Sequence, residues 1–155
     1  MGRRASSLVE FAVVVPVFFM LIFTIFDLGR LFYVRETLEH AMRQAGRFAV
    51  TGNHLTDPQT GNLMTRVDSI IAVAKQAAMG LDITSIEISS VSGGTTVSTG
   101  PGRAGGPGDT VTIKMTTTLQ MITRMVGRFF KGNGTYKFTV STVFRNERFA
   151  ISQTN

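Results

Sequence analysis

The sequence predicts an α+β protein: a long N-terminal membrane-spanning helix, then a second helix packed on a small antiparallel sheet of about three strands. Three observations support this class. Residues 11–26 form an apolar run that only Thr24 interrupts, the apolar spacing is helical at residues 31–50 and again at residues 67–78, and beyond Gly80 it changes to alternation. Two helices followed by strands are typical of a sheet covered by helices.

The apolar run is long enough to cross a bilayer once its flanks are included. Residues 11–26 alone make about 24 Å of helix, and extension to residues 8–30 exceeds the roughly 30 Å of a hydrocarbon core. A helix that is apolar on all sides needs lipid or a large protein core, and the rest of this chain is too short to enclose it. Arg3 and Arg4 precede the run, so the positive-inside tendency places the N-terminus in the cytoplasm.

The residues that follow the run do not form a secretory cleavage site. Signal peptidase requires small residues in an A-x-A-like pattern, whereas Phe26, Asp27, Leu28 and Gly29 occupy that place. The helix is therefore expected to stay attached to the chain. Inside the run, Pro16 removes one backbone hydrogen bond and predicts a kink or a flexible point, which membrane helices tolerate.

Glu10 stands at the edge of the predicted span and needs an explanation. A carboxylate that must lose its water there costs a few kcal/mol, so it should have a partner or a purpose. Two interpretations follow from the residue alone. Glu10 reaches water at the level of the lipid headgroups, or it pairs with a cation that another chain presents in the bilayer.

The residues around Glu10 resemble a known junction. Ala5-Ser6-Ser7-Leu8-Val9-Glu10-Phe11 resembles the type IV prepilin junction, in which a small residue precedes the cleavage point and Glu is the fifth residue after it. Together with DLGRLFY at residues 27–33 and AMRQAGRFA at residues 41–49, the segment SSLVEFAVVVPVFF is similar to the TadE-like pseudopilins of tight-adherence (Flp) pilus systems. The resemblance covers roughly the first 50 residues.

The resemblance implies a pilin-like fold and a set of functional residues. It implies cleavage between Ala5 and Ser6 by a prepilin peptidase, although Gly is more usual than Ala before the cut. Glu10 would then neutralise the new amino group of a neighbouring subunit. The membrane helix would include Phe11, Pro16 and Phe26, and its outer end would carry an interface motif of Asp27, Gly29 and Arg30.

The predicted division of the chain follows from these elements. Residues 1–5 are a prepilin-type leader, residues 6–50 the long helix, and residues 51–155 an extracytoplasmic α/β domain. In that domain, Thr65 and Asp68 form a capping box for the second helix and Gly80 ends it. The predicted strands are 83–91, 110–119 and 136–145, the last with Tyr136, Phe138, Val140 and Phe144 inward.

Two connections are predicted to be less regular. The Gly-rich loop 92–109 is expected to be a mobile hairpin connection. Its Gly100, Gly102 and Gly105 match G-x-G-x-x-G, but the dinucleotide fingerprint needs a strand before it and a helix opening from it, which this context does not provide. Residues 119–130 form either a short amphipathic helix or an irregular connection.

Composition favours a binding or assembly role over catalysis. The chain has no Cys and only two His, so we expect no enzyme activity, cofactor or metal. The leading hypothesis is a minor pilin or pseudopilin whose partners are other pilins, the assembly machinery, a prepilin peptidase and membrane lipid. One alternative is an uncleaved membrane-anchored scaffold. The net charge of +6 suggests another, a surface receptor for DNA or other anions, whose binding would weaken as salt rises.

Overall fold

The order of elements confirms the predicted α+β class. The computed structural model of the protein describes residues 2–123 and 135–148, with the backbone alone for residues 2–6 and 101. The helices are α1 (Gly2–Val50) and α2 (Arg66–Ala77), and the strands are β1 (Ile83–Ser92), β2 (Thr95–Val97), β3 (Thr110–Gln120) and β4 (Thr135–Arg145). The four strands form an antiparallel sheet in the order β2-β1-β3-β4. The short β2 adds one strand to the predicted three.

The chain separates into two compact units. The first consists of Met1–Tyr33 with Leu119–Tyr136, and the second of Val34–Thr118 with Lys137–Asn155. Helix α1 therefore contributes to both units. The last residues of β3 and the first residues of β4 belong to the first unit, and the rest of these two strands belongs to the second. The predicted division into leader, helix and extracytoplasmic domain stays a prediction.

The core of the second unit contains the apolar sides of α1 and β3. Val34, Leu38, Ala41 and Ala45 of α1 are buried, as their spacing of three and four residues predicts. Strand β3 contributes alternate residues, which are buried as predicted: Val111, Ile113 and Met115. Helix α1 passes close to β4 at Gly46, where an added Cβ atom would lie 3.5 Å from the Phe144 ring, an ordinary van der Waals contact.

Helix α2 begins and ends at the predicted signals. The Thr65 hydroxyl accepts a hydrogen bond from the Asp68 amide at 3.1 Å and donates to the Asp68 carboxylate at 2.6 Å. These bonds satisfy a free amide of the first turn and hold an acidic residue at the positive end of the helix. Beyond the last turn, Gly80 has a φ of 81°, which glycine adopts without steric penalty.

Strand β4 departs from the prediction at its first aromatic residue. Phe138, Val140 and Phe144 are half-buried, but Tyr136 is 37% exposed, so its inward placement is wrong. Alternation along a strand fixes which side of the sheet a residue occupies, whereas burial also requires another element to cover that position.

The Gly-rich connection is ordered by contacts that the sequence prediction did not include. It contains β2 and a 3-10 helix, Pro101–Ala104, and Ala104 is only 2% exposed. The side-chain amide of Asn146 donates to the carbonyls of Ala104 at 3.1 Å and Gly106 at 2.9 Å. Residues 101–109 are thus part of the packed domain, and the expectation of a mobile connection is wrong for them.

Arg66 also forms a hydrogen bond to the Gly-rich connection. Its guanidinium donates to the Ala49 carbonyl at 2.6 Å and to the Gly105 carbonyl at 2.5 Å, and the residue is 1% exposed. Burial lowers the pKa of Arg66, and the nearby Asp109 carboxylate opposes that shift. One buried cation therefore joins the end of α1, the start of α2 and the Gly-rich connection.

Candidate functional site

The predicted cleavage point lies within the first turns of α1. The helix begins at Gly2, so the backbone at Ala5 and Ser6 is helical. Glu10 follows one turn later with an exposed side chain. The carboxylate is thus accessible at the position where the resemblance requires it to meet a neighbouring subunit.

The apolar part of α1 presents its side chains outward on every side. From residue 7 to residue 26 only Val15, Ile22 and Thr24 are half-buried, and none is buried, while Phe11 and Phe26 at the two ends are exposed. The most apolar 18-residue window of this helix has a mean hydropathy of 2.6 and no buried share. An all-round apolar surface of this kind is suited to lipid or to other apolar helices.

Pro16 and Thr24 lie inside the apolar run, and the helix continues through both. Helix α1 continues through Pro16, although that residue cannot donate to the carbonyl four positions earlier. The kink or flexible point predicted there stays a prediction. Thr24, the polar interruption, donates its hydroxyl to the Met20 carbonyl at 2.7 Å, which satisfies it inside the apolar run.

Asp27 accepts three hydrogen bonds within the first unit. Its carboxylate accepts hydrogen bonds from the amides of Ile122 and Thr123, both at 2.9 Å, and from the Thr123 hydroxyl. The residue is 5% exposed although it directly follows the apolar run. Three donors to one carboxylate are what a charged group needs when water is excluded.

Arg30 reaches the same segment one helical turn later. Its guanidinium donates to the Gln120 carbonyl at 3.4 Å and is otherwise exposed. Gly29 lies between them on an open part of the helix, where an added Cβ would meet nothing within 4 Å. Of the predicted interface motif, the structure therefore brings Asp27 and Arg30 to residues 120–123 and leaves Gly29 outside that contact.

The partners of Asp27 are the functional residues that the sequence prediction missed. Residues 119–130 were expected to form a short helix or an irregular connection; Leu119 and Gln120 instead complete β3, and residues 121–123 follow without helix. Residues 124–130 lie outside the described residues. Asp27 itself was the sequence signal for this contact, since a carboxylate beside an apolar segment requires hydrogen-bond donors. The sequence does not identify them, because two of the three are backbone amides.

Comparison with known proteins supports the resemblance seen in the residues. Residues 5–47 match the family model described as TadE-like protein. The match includes the junction at Ala5, the apolar span, Asp27 and Arg30, and ends three residues before α1 does. No curated protein and no solved structure matches the chain. The matched segment is 43 of the chain's 155 residues, so the likeness applies to that segment, and the apolar helix is consistent with membrane anchoring.

Proposed function

We propose that this protein, whose N-terminal segment is TadE-like, is a minor pilin or pseudopilin that supports assembly of a tight-adherence (Flp-type) pilus. The observation that carries the proposal is the surface of α1 between residues 7 and 26, which is largely apolar and contains no buried residue. Such a helix can be stored in a bilayer and transferred to a bundle of similar helices, because both surroundings bury the same side chains.

Glu10 would direct that transfer. In a bilayer or a helix bundle its carboxylate is costly unless it meets a cation, and the mature N-terminus of a neighbouring subunit would supply one. The pairing would fix the axial position of one helix against the next, whereas apolar packing alone specifies it poorly. Cleavage before Ser6 would create that amino group and remove Arg3 and Arg4.

The proposed topology places the N-terminus in the cytoplasm and the domain after the helix in the periplasm. Arg3 and Arg4 supply the positive charge that favours the cytoplasmic side. Within this proposal the protein performs no catalytic step. Its partners are other pilins or pseudopilins, the assembly machinery and the prepilin peptidase, and it is presented either in the inner membrane or in the pilus.

Substitution of Glu10 tests the assembly role. In cells that make the pilus, Glu10→Gln should keep the protein in the membrane but reduce pilus output and crosslinks to membrane partners, because the amide cannot neutralise an amine. Glu36→Gln is the matched control, since Glu36 is an exposed carboxylate on the same helix beyond the apolar run. Both variants should accumulate to the level of the unchanged protein.

Unchanged pilus output and unchanged crosslinks in Glu10→Gln would contradict the assembly role. That outcome would favour the uncleaved, membrane-anchored scaffold, in which the carboxylate only reaches water at the headgroups. A loss of output in Glu36→Gln as large as that in Glu10→Gln would also count against a specific pairing at Glu10.

A further inference from the structure

The end of β3 carries an exposed apolar side chain beside the membrane helix. In residues 119–123, which we name the β3 tip, Leu119 and Met121 are buried while Ile122 is 56% exposed. Together with α1 up to Tyr33, the β3 tip belongs to the first compact unit. Its surroundings are therefore those of the membrane helix.

Hydrogen bonds set the level of the β3 tip along α1. The amides of Ile122 and Thr123 lie 2.9 Å from the Asp27 carboxylate, so their backbone is at the height of a residue that directly follows the apolar run. The exposed apolar surface of α1 continues past this height through Leu28, Phe32 and Tyr33. Six residues of helix rise about 9 Å, so Ile122 lies below the outer end of that surface.

The polar groups of the β3 tip are satisfied in the way that a low-dielectric setting demands. Asp27 accepts from two of its amides and from the Thr123 hydroxyl, and Arg30 donates to the Gln120 carbonyl. Backbone groups at membrane depth must find partners within the protein, because lipid offers none.

From these observations we propose that the β3 tip is a second membrane contact, in which Ile122 inserts into the interfacial region of the lipid that surrounds the outer end of α1. The occupant is phospholipid because Leu28 and Phe32, which follow Asp27 within about two turns of α1, are exposed and apolar like Ile122. The exposed guanidinium of Arg30 beside it suits the headgroup level, where long cationic side chains reach polar surroundings.

This inference rests on α1 crossing a membrane and not on cleavage or on assembly of a pilus. It gives the interface motif a role within one subunit. Asp27 and Arg30 are positioning residues that hold the β3 tip at the bilayer surface, while Ile122 makes the contact with lipid.

The chain contains no Cys, so single labels can test the contact directly. The full chain carrying Ile122→Cys would be labelled with an environment-sensitive fluorophore and placed in phosphatidylcholine and phosphatidylglycerol vesicles. Lipids with a spin label near the headgroup would serve as quenchers. Phe32→Cys marks the interface, Phe23→Cys the span, and Thr96→Cys an exposed position in β2.

We expect the label at Ile122 to be quenched about as strongly as the one at Phe32 and clearly more than the one at Thr96. Adding Asp27→Ala to Ile122→Cys should reduce this quenching, whereas Asp27→Ala added to Phe23→Cys should leave the quenching at the span unchanged. That comparison separates release of the β3 tip from loss of the membrane helix.

Quenching at Ile122 no stronger than at Thr96, while Phe23 remains quenched, would overturn the proposal and leave the membrane anchor intact. Protection from the quencher together with crosslinking of Ile122→Cys to a second copy would assign the surface to protein contacts and would also overturn it. Absence of quenching at Phe23 would refute the membrane span itself, on which both this inference and the proposed anchor depend.

Discussion

At the scale of single residues, buried polar groups determine how the irregular parts of this protein are held. Asp27, Arg66 and Asn146 are each at most 5% exposed, and each bonds to backbone groups of a segment without regular structure. A buried polar group that loses its partner costs about 1–3 kcal/mol, so these contacts favour one arrangement of the chain over its alternatives.

Gly105 offers a test at this scale because two restrictions coincide there. Its φ is 70°, and an added Cβ would lie 3.0 Å from the Ser90 Cβ and 3.1 Å from the Asp109 Cβ. Gly105→Ala should therefore lower the free energy of unfolding by about 2–4 kcal/mol, from backbone strain and crowding together. Urea unfolding of the full chain in detergent, followed by circular dichroism, measures the loss.

Gly94→Ala is the matched control for Gly105→Ala. Its φ of 86° imposes a similar backbone cost, but nothing lies within 4 Å of the added Cβ. The control should lose only about 1–2 kcal/mol. Equal losses in the two variants would show that the close packing around Gly105 contributes nothing to stability.

At the scale of elements, α1 changes its surroundings along its length while its backbone continues unbroken. Before Asp27 none of its described side chains is buried, and from Val34 onward one stripe is buried in the core of the second unit. In the turns of α1 after Val34, charged residues lie outside the buried stripe. Among them, Glu39 pairs with Arg35 at 3.0 Å and with Arg43 at 3.8 Å. One helix thus has an exposed apolar part, which is consistent with membrane anchoring, and a part that contributes to a domain core.

Arg66 tests how α1 and α2 are joined. Arg66→Met retains much of the volume but removes the donors to the Ala49 and Gly105 carbonyls, so the free energy of unfolding should fall by about 2–4 kcal/mol. Hydrogen exchange at the amides of residues 101–109 should rise more than exchange at residues 7–26 of α1, because the Gly-rich connection loses its hydrogen bond from Arg66.

Lys75→Met provides the comparison on the same helix. Lys75 is exposed in the last turn of α2, so its replacement should change the free energy of unfolding by about 0.5 kcal/mol or less. A loss in Arg66→Met no larger than in Lys75→Met would mean that the buried guanidinium is dispensable for the connection.

At the scale of the whole molecule, local patterns predicted more than long-range contacts did. The apolar run, the Thr65 cap and the alternation in β3 are confirmed because neighbouring residues determine each of them. The donors to Asp27 lie 95 and 96 residues away, and two of them are backbone amides without a sequence signature. The contacts of the Gly-rich connection were missed for the same reason, because Arg66, which donates to the Gly105 carbonyl, is 39 residues from it in the sequence.

The functional residues divide along the same line. Ala5, Ser6 and Glu10 could be predicted from the sequence because a peptidase and a neighbouring helix would recognise a short linear junction, and their roles stay predictions. The role of Asp27 and Arg30 could not, since it depends on where β3 ends. The resemblance predicted the motif of Asp27, Gly29 and Arg30, and only the fold shows that Asp27 accepts a hydrogen bond from the Ile122 amide.

The mass and N-terminal sequence of the mature protein test the central claim most directly. In membranes of cells with an active prepilin peptidase, the chain should begin at Ser6 and lack residues 1–5. Ala5→Gly should be processed in the same way, and Ala5→Leu should retain the leader, because the peptidase requires a small residue there. A chain that keeps Met1 to Ala5 in such cells would contradict the account.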